Sequence, residues 1–141
     1  MPLRKNAKLF PYGSAKKAHK YGAKKTAIIF EGELVTFDSK AESLRAIELQ
    51  RCQMAGLISE LSLQPAFVLQ AGFVRKGKKI REIKFVADFF YIEDGMAIVE
   101  DVKGMETPEF KLKAKLFLMR HETMTLRVSK RSGTGFLFVD R

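Results

Sequence analysis

The chain has 141 residues, of which 46% are apolar, so its size and composition predict one folded domain and exclude a disordered protein. Lysine and arginine number 26 against 16 acidic residues, and the formal charge of +10 favours a polyanionic partner, with nucleic acid ahead of an anionic membrane. One cysteine and two histidines exclude a disulfide framework and a cysteine-rich zinc site. Since there is neither a membrane-length apolar run nor a signal-peptide-like segment, we expect a cytoplasmic protein.

Residues 1–25 are predicted to form a basic, flexible arm ahead of a single domain at 26–141. Eight lysines and arginines precede the first acid, Glu31, while Pro11 and Gly22 interrupt regular structure. The arm either holds a phosphate backbone or is a solvated tail that aids solubility. Its lysines that we expect to contact DNA are Lys16, Lys17, Lys24 and Lys25.

A hairpin and then a helix are predicted after the arm. Residues 26–37 form a short hairpin, in which two apolar runs, 27–30 and 34–37, flank a turn at Glu31-Gly32. Ser39 is a natural N-cap and Gly56 a natural C′ residue, so the helix runs from about 39 to 55. Its expected apolar stripe consists of Leu44, Ile47 and Met54.

Glu42 lies three residues after Ser39, which is the spacing of a capping box. In that arrangement the glutamate carboxylate accepts a hydrogen bond from the amide that begins the helix. The residues alone leave open whether capping is its only role.

The middle of the chain is predicted to carry a basic tip between two strands. Residues 61–73 form a loop that enters a strand, with Pro65 at the strand start because proline cannot donate to a central ladder. Residues 75–79 then form the tip, which leads into the strand that bears Asp88. The tip either contacts the DNA backbone or aids solubility. The residues concerned are Arg75, Lys76, Lys78 and Lys79.

Residues 84–103 are predicted to be two strands joined by a tight turn at Asp94-Gly95, because a type I′ turn requires positive φ at both central positions. With these two residues as the loop, facing residue numbers sum to 189, so Asp88 lies directly opposite Asp101. A three-residue loop would shift the pairing by one and separate the two acids. Both faces are rich in apolar residues, which favours an interior hairpin over a solvent-facing one.

Side-chain alternation gives this hairpin two distinct faces. Asp88, Asp101 and Lys103 share one face, Val86 faces Lys103, and Glu100 lies on the opposite face. Two directly facing carboxylates repel each other. A divalent cation between them would convert that repulsion into a binding site, since Mg²⁺ uses one or two carboxylates together with water and phosphate oxygens.

A second helix and a C-terminal hairpin complete the prediction. Thr107 caps a helix with Pro108 at its first position, and the helix runs to about His121. Its buried stripe is predicted to be Phe110, Ala114, Phe117 and Leu118. Lys111 and Lys115 lie on other faces, where they either approach DNA or are simply solvated.

Two strands are predicted at the end of the chain, 125–128 and 136–139, with a basic turn at 130–135. The order of elements predicts an α/β (α+β) fold, with a mixed central β-sheet flanked by helices. A phosphate-binding loop of the GxxxxGK[ST] type is absent, which argues against an NTPase.

The spacing of Asp88, twelve residues, Asp101, one residue and Lys103 resembles the active-site signature of the PD-(D/E)XK nuclease superfamily. That superfamily includes restriction endonucleases and Holliday-junction resolvases, and a glutamate on a preceding helix, matched here by Glu42, usually completes its site. The segments FDSKAE, LQPAFVLQ, VADFFY and VEDVKG resemble a phage-associated, resolvase-like branch over roughly residues 36–120.

The resemblance implies a restriction-endonuclease-like core and a metal-dependent DNA endonuclease. Asp88, Asp101, the Val102 carbonyl and Glu42 are then expected to hold Mg²⁺, for which Mn²⁺ can substitute. Lys103 is expected to orient the attacking water or to stabilise charge on the phosphate. Capping and metal binding by Glu42 conflict, because a carboxylate bonded to the N-cap amide has less freedom to reach a metal.

The resemblance and the small size of the domain also imply branched DNA as the substrate, in phage recombination or DNA processing within the host cytoplasm. Junction cleavage needs two symmetric nicks, so we expect a homodimer. Ala87 stands where the motif has its proline. The alternative is a non-catalytic nucleic-acid-binding protein of the same fold, although such a binder gains nothing from two acids that repel phosphate. A membrane-surface protein is the least favoured, since no basic amphipathic helix has a bulky apolar face.

Overall fold

The computed structural model describes residues 24–141, and over this range the chain forms an α+β fold of two helices and eleven strands. The helices are α1, Lys40–Met54, and α2, Pro108–Arg120. The first six strands are β1 Thr26–Phe30, β2 Glu33–Phe37, β3 Ile58–Leu63, β4 Ala66–Gln70, β5 Phe73–Arg75 and β6 Lys78–Ile80. The others are β7 Ile83–Val86, β8 Phe89–Glu93, β9 Met96–Val102, β10 Met124–Ser132 and β11 Gly135–Asp140.

A five-stranded mixed sheet forms the centre of the described chain, in the order β11-β10-β9-β8-β3. Strands β9 and β10 are parallel, and α2 makes the crossover between them because parallel neighbours need a long connection. The other neighbours in this sheet are antiparallel. Three two-stranded ribbons, β1–β2, β4–β7 and β5–β6, accompany the sheet. The predicted mixed sheet with helices is therefore confirmed.

Each of the two helices contributes its buried side chains to one of two apolar clusters. The cluster around α2 contains Phe67, Phe85, Phe90, Val99, Phe110, Phe117 and Leu126. The cluster around α1 contains Phe30, Phe37, Leu49, Leu61, Phe89, Tyr91 and Ile98. Successive residues of β9 contribute to opposite clusters, since strand side chains alternate. Neighbouring polar residues of β9 therefore lie on opposite sides of the sheet, in separate surroundings.

The β8–β9 hairpin has the predicted turn and register. Asp94 and Gly95 have φ angles of 50° and 77°, and facing residues sum to 189 from Glu93 with Met96 to Phe89 with Glu100. The strand predicted to continue back to Lys84 is nevertheless broken after Val86. Val86 pairs with Ala66 in the β4–β7 ribbon, so the prediction that it faces Lys103 is wrong.

The break arises because the chain changes partners at this point. The Ala87 amide donates to the Pro65 carbonyl at 3.0 Å, and the Gln64 amide donates to the Asp88 carbonyl at 2.8 Å. Gln64 and Pro65 connect β3, which pairs with β8, to β4, which pairs with β7. Proline offers its carbonyl but no amide, which suits this crossing. Residues 61–63, predicted as loop, belong to β3.

Both predicted helix caps are confirmed. The hydroxyl of Ser39 accepts from the Glu42 amide at 3.1 Å, and that of Thr107 accepts from the Phe110 amide at 3.2 Å. Gly56 follows α1 with a φ of 78°, as a C′ glycine does. Neither helix of the described residues is both long enough and apolar enough to cross a membrane.

The buried face of α1 differs from the predicted stripe. Met54 is 87% exposed, whereas Arg45, Ala46 and Leu49 are buried. Arg45 is buried because it forms an ion pair with the buried carboxylate of Glu100 on β9. Helix α2 follows its prediction, with Phe110, Ala114 and Phe117 buried and Leu118 partly so.

The C-terminal strands are longer than predicted. Strands β10 and β11 pair from Arg127 with Asp140 to Ser132 with Gly135. Only residues 133–134 remain as the turn. Backbone pairing therefore extends through the basic residues that the sequence assigned to a loop.

Candidate active site

Asp88 lies at the break between β7 and β8, with only 4% of the residue exposed. Its amide donates to the Glu100 carbonyl at 3.0 Å, and its Oδ2 accepts from the Val102 amide at 2.7 Å. Asp88 is outside the β8–β9 ladder, so the predicted direct pairing with Asp101 is replaced by these bonds. They hold the Asp88 carboxylate against the backbone that follows Asp101.

Asp101 is fully buried near the end of β9. Its Oδ2 lies 2.9 Å from Nζ of Lys103, which confirms that the two residues share a face. The Lys103 ammonium is also 4.9 Å from the centre of the Phe110 ring, an arrangement in which the ring face attracts the cation. The Lys103 amide donates to the Ser129 carbonyl at 2.8 Å, so β10 fixes the backbone at this point.

A third acid and further cations line the loop beside Lys103. Glu106 lies 2.8 Å from Arg141, and this bond lowers the pKa of the Glu106 carboxyl, with further contributions from Lys111 and Lys103. Lys111 and Lys103 therefore both act on the same carboxylate.

Glu42 is the third helical residue of α1 and is half-buried. Its amide makes the Ser39 capping bond, so the backbone half of the capping box is present. Within residues 24–141, no three acidic, histidine or cysteine side chains lie close enough together to hold a metal ion. The structure therefore does not assemble Glu42, Asp88 and Asp101 into a three-carboxylate group, and a metal role for Glu42 stays a prediction.

The two remaining carboxylates and the Val102 carbonyl still fit Mg²⁺. This ion takes only oxygen donors and commonly uses one or two carboxylates, with water and substrate phosphate completing its six positions. Asp88 and Asp101 are both buried, and Asp88 bonds to the amide of Val102, the residue after Asp101, so these residues offer such a set of oxygen donors. A site of hard oxygen donors does not suit the thiolate- and imidazole-binding metals.

Glu100, on the opposite face of β9, is the centre of a buried polar network that the sequence did not reveal. Its carboxylate is fully buried and accepts from Arg45 at 2.6 and 3.0 Å, from Tyr91 at 2.5 Å and from Ser129 at 2.7 Å. The predicted separation of Glu100 from Asp101 by strand parity is confirmed. The sequence signal for this contact is a charged residue, Arg45, among the buried positions of α1.

Within this network, Tyr91 remains protonated and Arg45 remains charged. Burial raises the pKa of the Tyr91 hydroxyl, and the Glu100 charge raises it further, so Tyr91 stays a donor. Burial opposes the charge of Arg45, yet its bonds to Glu100 raise the Arg45 pKa overall. The pair joins α1, three residues beyond Glu42, to the residue directly before Asp101. It therefore sets the position of the helix relative to the site.

The cations assigned to DNA contact lie on several surfaces. Lys16 and Lys17 are outside the described residues. The other eight are exposed: Lys24, Lys25, Arg75, Lys76, Lys78, Lys79, Lys111 and Lys115. Arg75 to Lys79 form the tip of the β5–β6 hairpin, as predicted, with Lys76 and Gly77 as its two-residue turn.

Comparisons with known proteins give a family but no activity. A family model described as "Protein of unknown function (DUF1064)" matches residues 18–134. A search of curated proteins finds no match. A solved structure described as "Crystal structure of SSO0001" is similar to the chain at 14% identity with a TM-score of 0.41, over 67% of this chain. The match spans 47% of that structure's length, about half, and the likeness is too distant to carry an argument.

Proposed function

The chain belongs to the DUF1064 family, and because the description of that family states no activity, we propose from the chain's own residues that it is a metal-dependent DNA endonuclease. The observation that carries this proposal is the pair of buried carboxylates, Asp88 and Asp101, beside Lys103. Burying an acid is costly unless charge or hydrogen bonds compensate for it. Two such acids with one lysine carry one net negative charge, and that favours a bound cation.

The order of elements supports a restriction-endonuclease-like core. Strand β9, which carries Asp101, leads into α2, and α2 returns the chain to β10 alongside β9. This is the strand-to-helix order that the resemblance implies. Asp101 lies near the end of β9 and Asp88 at the break between β7 and β8. The Val102 amide of β9 holds the Asp88 carboxylate, and Lys103 pairs with the Asp101 carboxylate.

The residues of the chain have separate tasks in the proposed hydrolysis. Asp88, Asp101 and the Val102 carbonyl would hold the metal ion, and the Val102 amide keeps the Asp88 carboxylate in place. A bound Mg²⁺ lowers the pKa of its water and neutralises charge on the phosphate. Lys103, held 2.9 Å from Asp101, places a compact positive charge towards the phosphate. Lys111 adds a second cation on the same side.

The experiment that tests the function is cleavage of end-labelled DNA by the full chain. A four-way junction, a linear duplex and a single strand of matched sequence are each incubated with Mg²⁺, Mn²⁺, Ca²⁺ or EDTA. We expect cutting with Mg²⁺ or Mn²⁺, none with EDTA, and the fastest rate on the junction, by a homodimer. Binding without cutting under every condition would instead support the non-catalytic binding protein.

Replacing Lys103 with Met is expected to slow cleavage by about 100- to 1,000-fold, the usual effect of removing one group that stabilises developing charge. Since Lys103 acts on the reacting phosphate, DNA affinity should change little. The measurement is the single-turnover rate at saturating protein, with circular dichroism as the check on folding.

Lys113→Met is the matched control, because Lys113 also forms an ion pair, 3.1 Å from Glu109, but with a residue of its own helix α2. This variant should cut at the wild-type rate. Equal rates for the two variants would remove Lys103 from the mechanism.

A further inference from the structure

Two consecutive β-ribbons extend from the site. The first is β4–β7, which begins at Ala66 with Val86, two residues before Asp88. The second is β5–β6, which continues from Phe73 with Ile80 to Arg75 with Lys78. We name residues 71–82 the β5–β6 arm. The chain thus leaves the site along one leg of a ribbon and returns along the other to Asp88.

The β5–β6 arm is exposed and strongly basic. Every residue from 71 to 80 is exposed. Between Phe73 and Arg81 the sequence has five cations and no acid: Arg75, Lys76, Lys78, Lys79 and Arg81. Residues 71–81 contain no acid that could balance this charge, and the charge complements a phosphate backbone.

The arm has a defined shape. At its root, a Cβ added to Gly72 would lie 3.1 Å from the Ile80 carbonyl oxygen, so glycine lets the two legs approach closely. At its tip, Lys76 and Gly77 have φ angles of 48° and 74°, the left-handed pair of a tight hairpin turn. Both ends of the ribbon are therefore set by backbone geometry.

The length of the arm relates its tip to the site. Gly77 precedes Asp88 by eleven positions, and an extended strand rises about 3.3 Å per residue, so the tip is at most about 36 Å from Asp88. One turn of B-form DNA is about 34 Å. The tip can thus reach a duplex up to about one turn away from a phosphate held at Asp88.

We propose that the β5–β6 arm is a duplex-binding ribbon that enters the major groove beside the cleaved phosphate. A major groove about 12 Å wide admits a two-stranded ribbon. Arg75 and Lys78 face each other on one side of the ribbon, next to the apolar pair Phe73 and Ile80, and these four side chains follow the groove wall. Single-strand binding relies on several stacking aromatics, whereas the arm has one.

This inference rests on the proposed function for the identity of its ligand as DNA. It adds a substrate requirement, namely duplex on one side of the cut and within about one helical turn of it. A branched substrate with duplex arms meets that requirement, and a bare single strand does not.

The test compares two variants of the full chain that each lose four exposed positive charges. The arm variant carries Arg75→Gln, Lys76→Gln, Lys78→Gln and Lys79→Gln. The control variant carries Lys40→Gln, Arg51→Gln, Lys130→Gln and Arg131→Gln, at positions that are equally exposed. Affinity for a labelled duplex and for a single strand is measured by anisotropy in Ca²⁺ over a series of salt concentrations.

The arm variant is expected to bind duplex about 10- to 100-fold more weakly near physiological salt, with a salt slope shallower by about two to four units, because each phosphate contact contributes about 0.9. The control should keep a slope close to wild type. Equal slopes for the two variants would overturn the inference. An equal loss on single-stranded DNA would overturn the groove assignment.

Failure of the proposed function gives a different result. At saturating protein, the control variant should cut duplex at the wild-type rate, since none of its changed residues belongs to the catalytic site or to the arm. If wild type never cuts DNA but the arm variant loses duplex binding, the nuclease proposal fails and the ribbon proposal stands. If wild type cuts DNA and the arm variant binds duplex as tightly as the control variant, the nuclease proposal stands and the ribbon proposal fails.

Discussion

Arg45→Met is expected to lower the free energy of unfolding by about 3–5 kcal/mol, the usual cost of leaving one member of a buried ion pair without its partner. Glu100 is fully buried, and Arg45 supplies two of its four hydrogen bonds and its counter-charge. Tyr91 and Ser129 remain as donors but carry no charge to offset the carboxylate. Urea unfolding at neutral pH measures the difference.

Two matched variants separate the lost pair from the substitution itself. Arg51→Met makes the same change at an exposed position of the same helix and should alter stability by no more than about 0.5 kcal/mol. Combining Arg45→Met with Glu100→Met removes both charges and should recover part of the loss. If Arg45→Met were as stable as Arg51→Met, the Glu100 network would not hold α1 against β9.

The turns and caps of this chain could be predicted because single residues carry the signal. Asp94-Gly95 and Glu31-Gly32 adopt the positive φ angles of tight hairpin turns, and the turns in turn set the register of the strands on both sides. Ser39 and Thr107 cap their helices through their own hydroxyls. These are local effects, and the sequence states them directly.

The change of strand partners at Asp88 could not be predicted in the same way. Apart from Asp88, every residue from Phe85 to Phe90 is apolar, so the sequence pattern predicts one strand where the structure has two. The cause is a long-range bond between Ala87 and Pro65, more than twenty positions away. Pro65 marked a boundary, but not which later residue would face it.

The inward face of α1 was mispredicted because a hydrophobic count ignores paired charges. Arg45 is buried through its bond to a carboxylate on another element, while the apolar Met54 lies in solvent. A buried acid such as Glu100 cannot be assigned a partner from sequence spacing, since 55 positions separate it from Arg45. The candidate site itself was predicted as far as strand alternation reaches, which is Asp101 with Lys103.

Asp88→Asn is expected to lower the rate of Mg²⁺-dependent cleavage by at least about 100-fold, since changes to residues that only support metal ligands already cost 10- to 100-fold. Asparagine can still accept the Val102 hydrogen bond through its amide oxygen, so the backbone arrangement should persist. What is lost is one negative charge at the proposed metal site. DNA binding in Ca²⁺ should fall little, because the variant also removes a charge that repels phosphate.

A catalytic role for Asp88 can be tested in one cleavage assay that compares wild type, Asp88→Asn and Asp94→Asn on the same junction and duplex DNA with Mg²⁺. Asp94→Asn makes the identical change in the same hairpin, at an exposed turn where asparagine tolerates the φ of 50°. We expect wild type and Asp94→Asn to cut at the same rate, and Asp88→Asn to bind the DNA without cutting it. Equal cutting by all three proteins would contradict a catalytic site at Asp88, and DNA bound but uncut by all three would leave a binding protein.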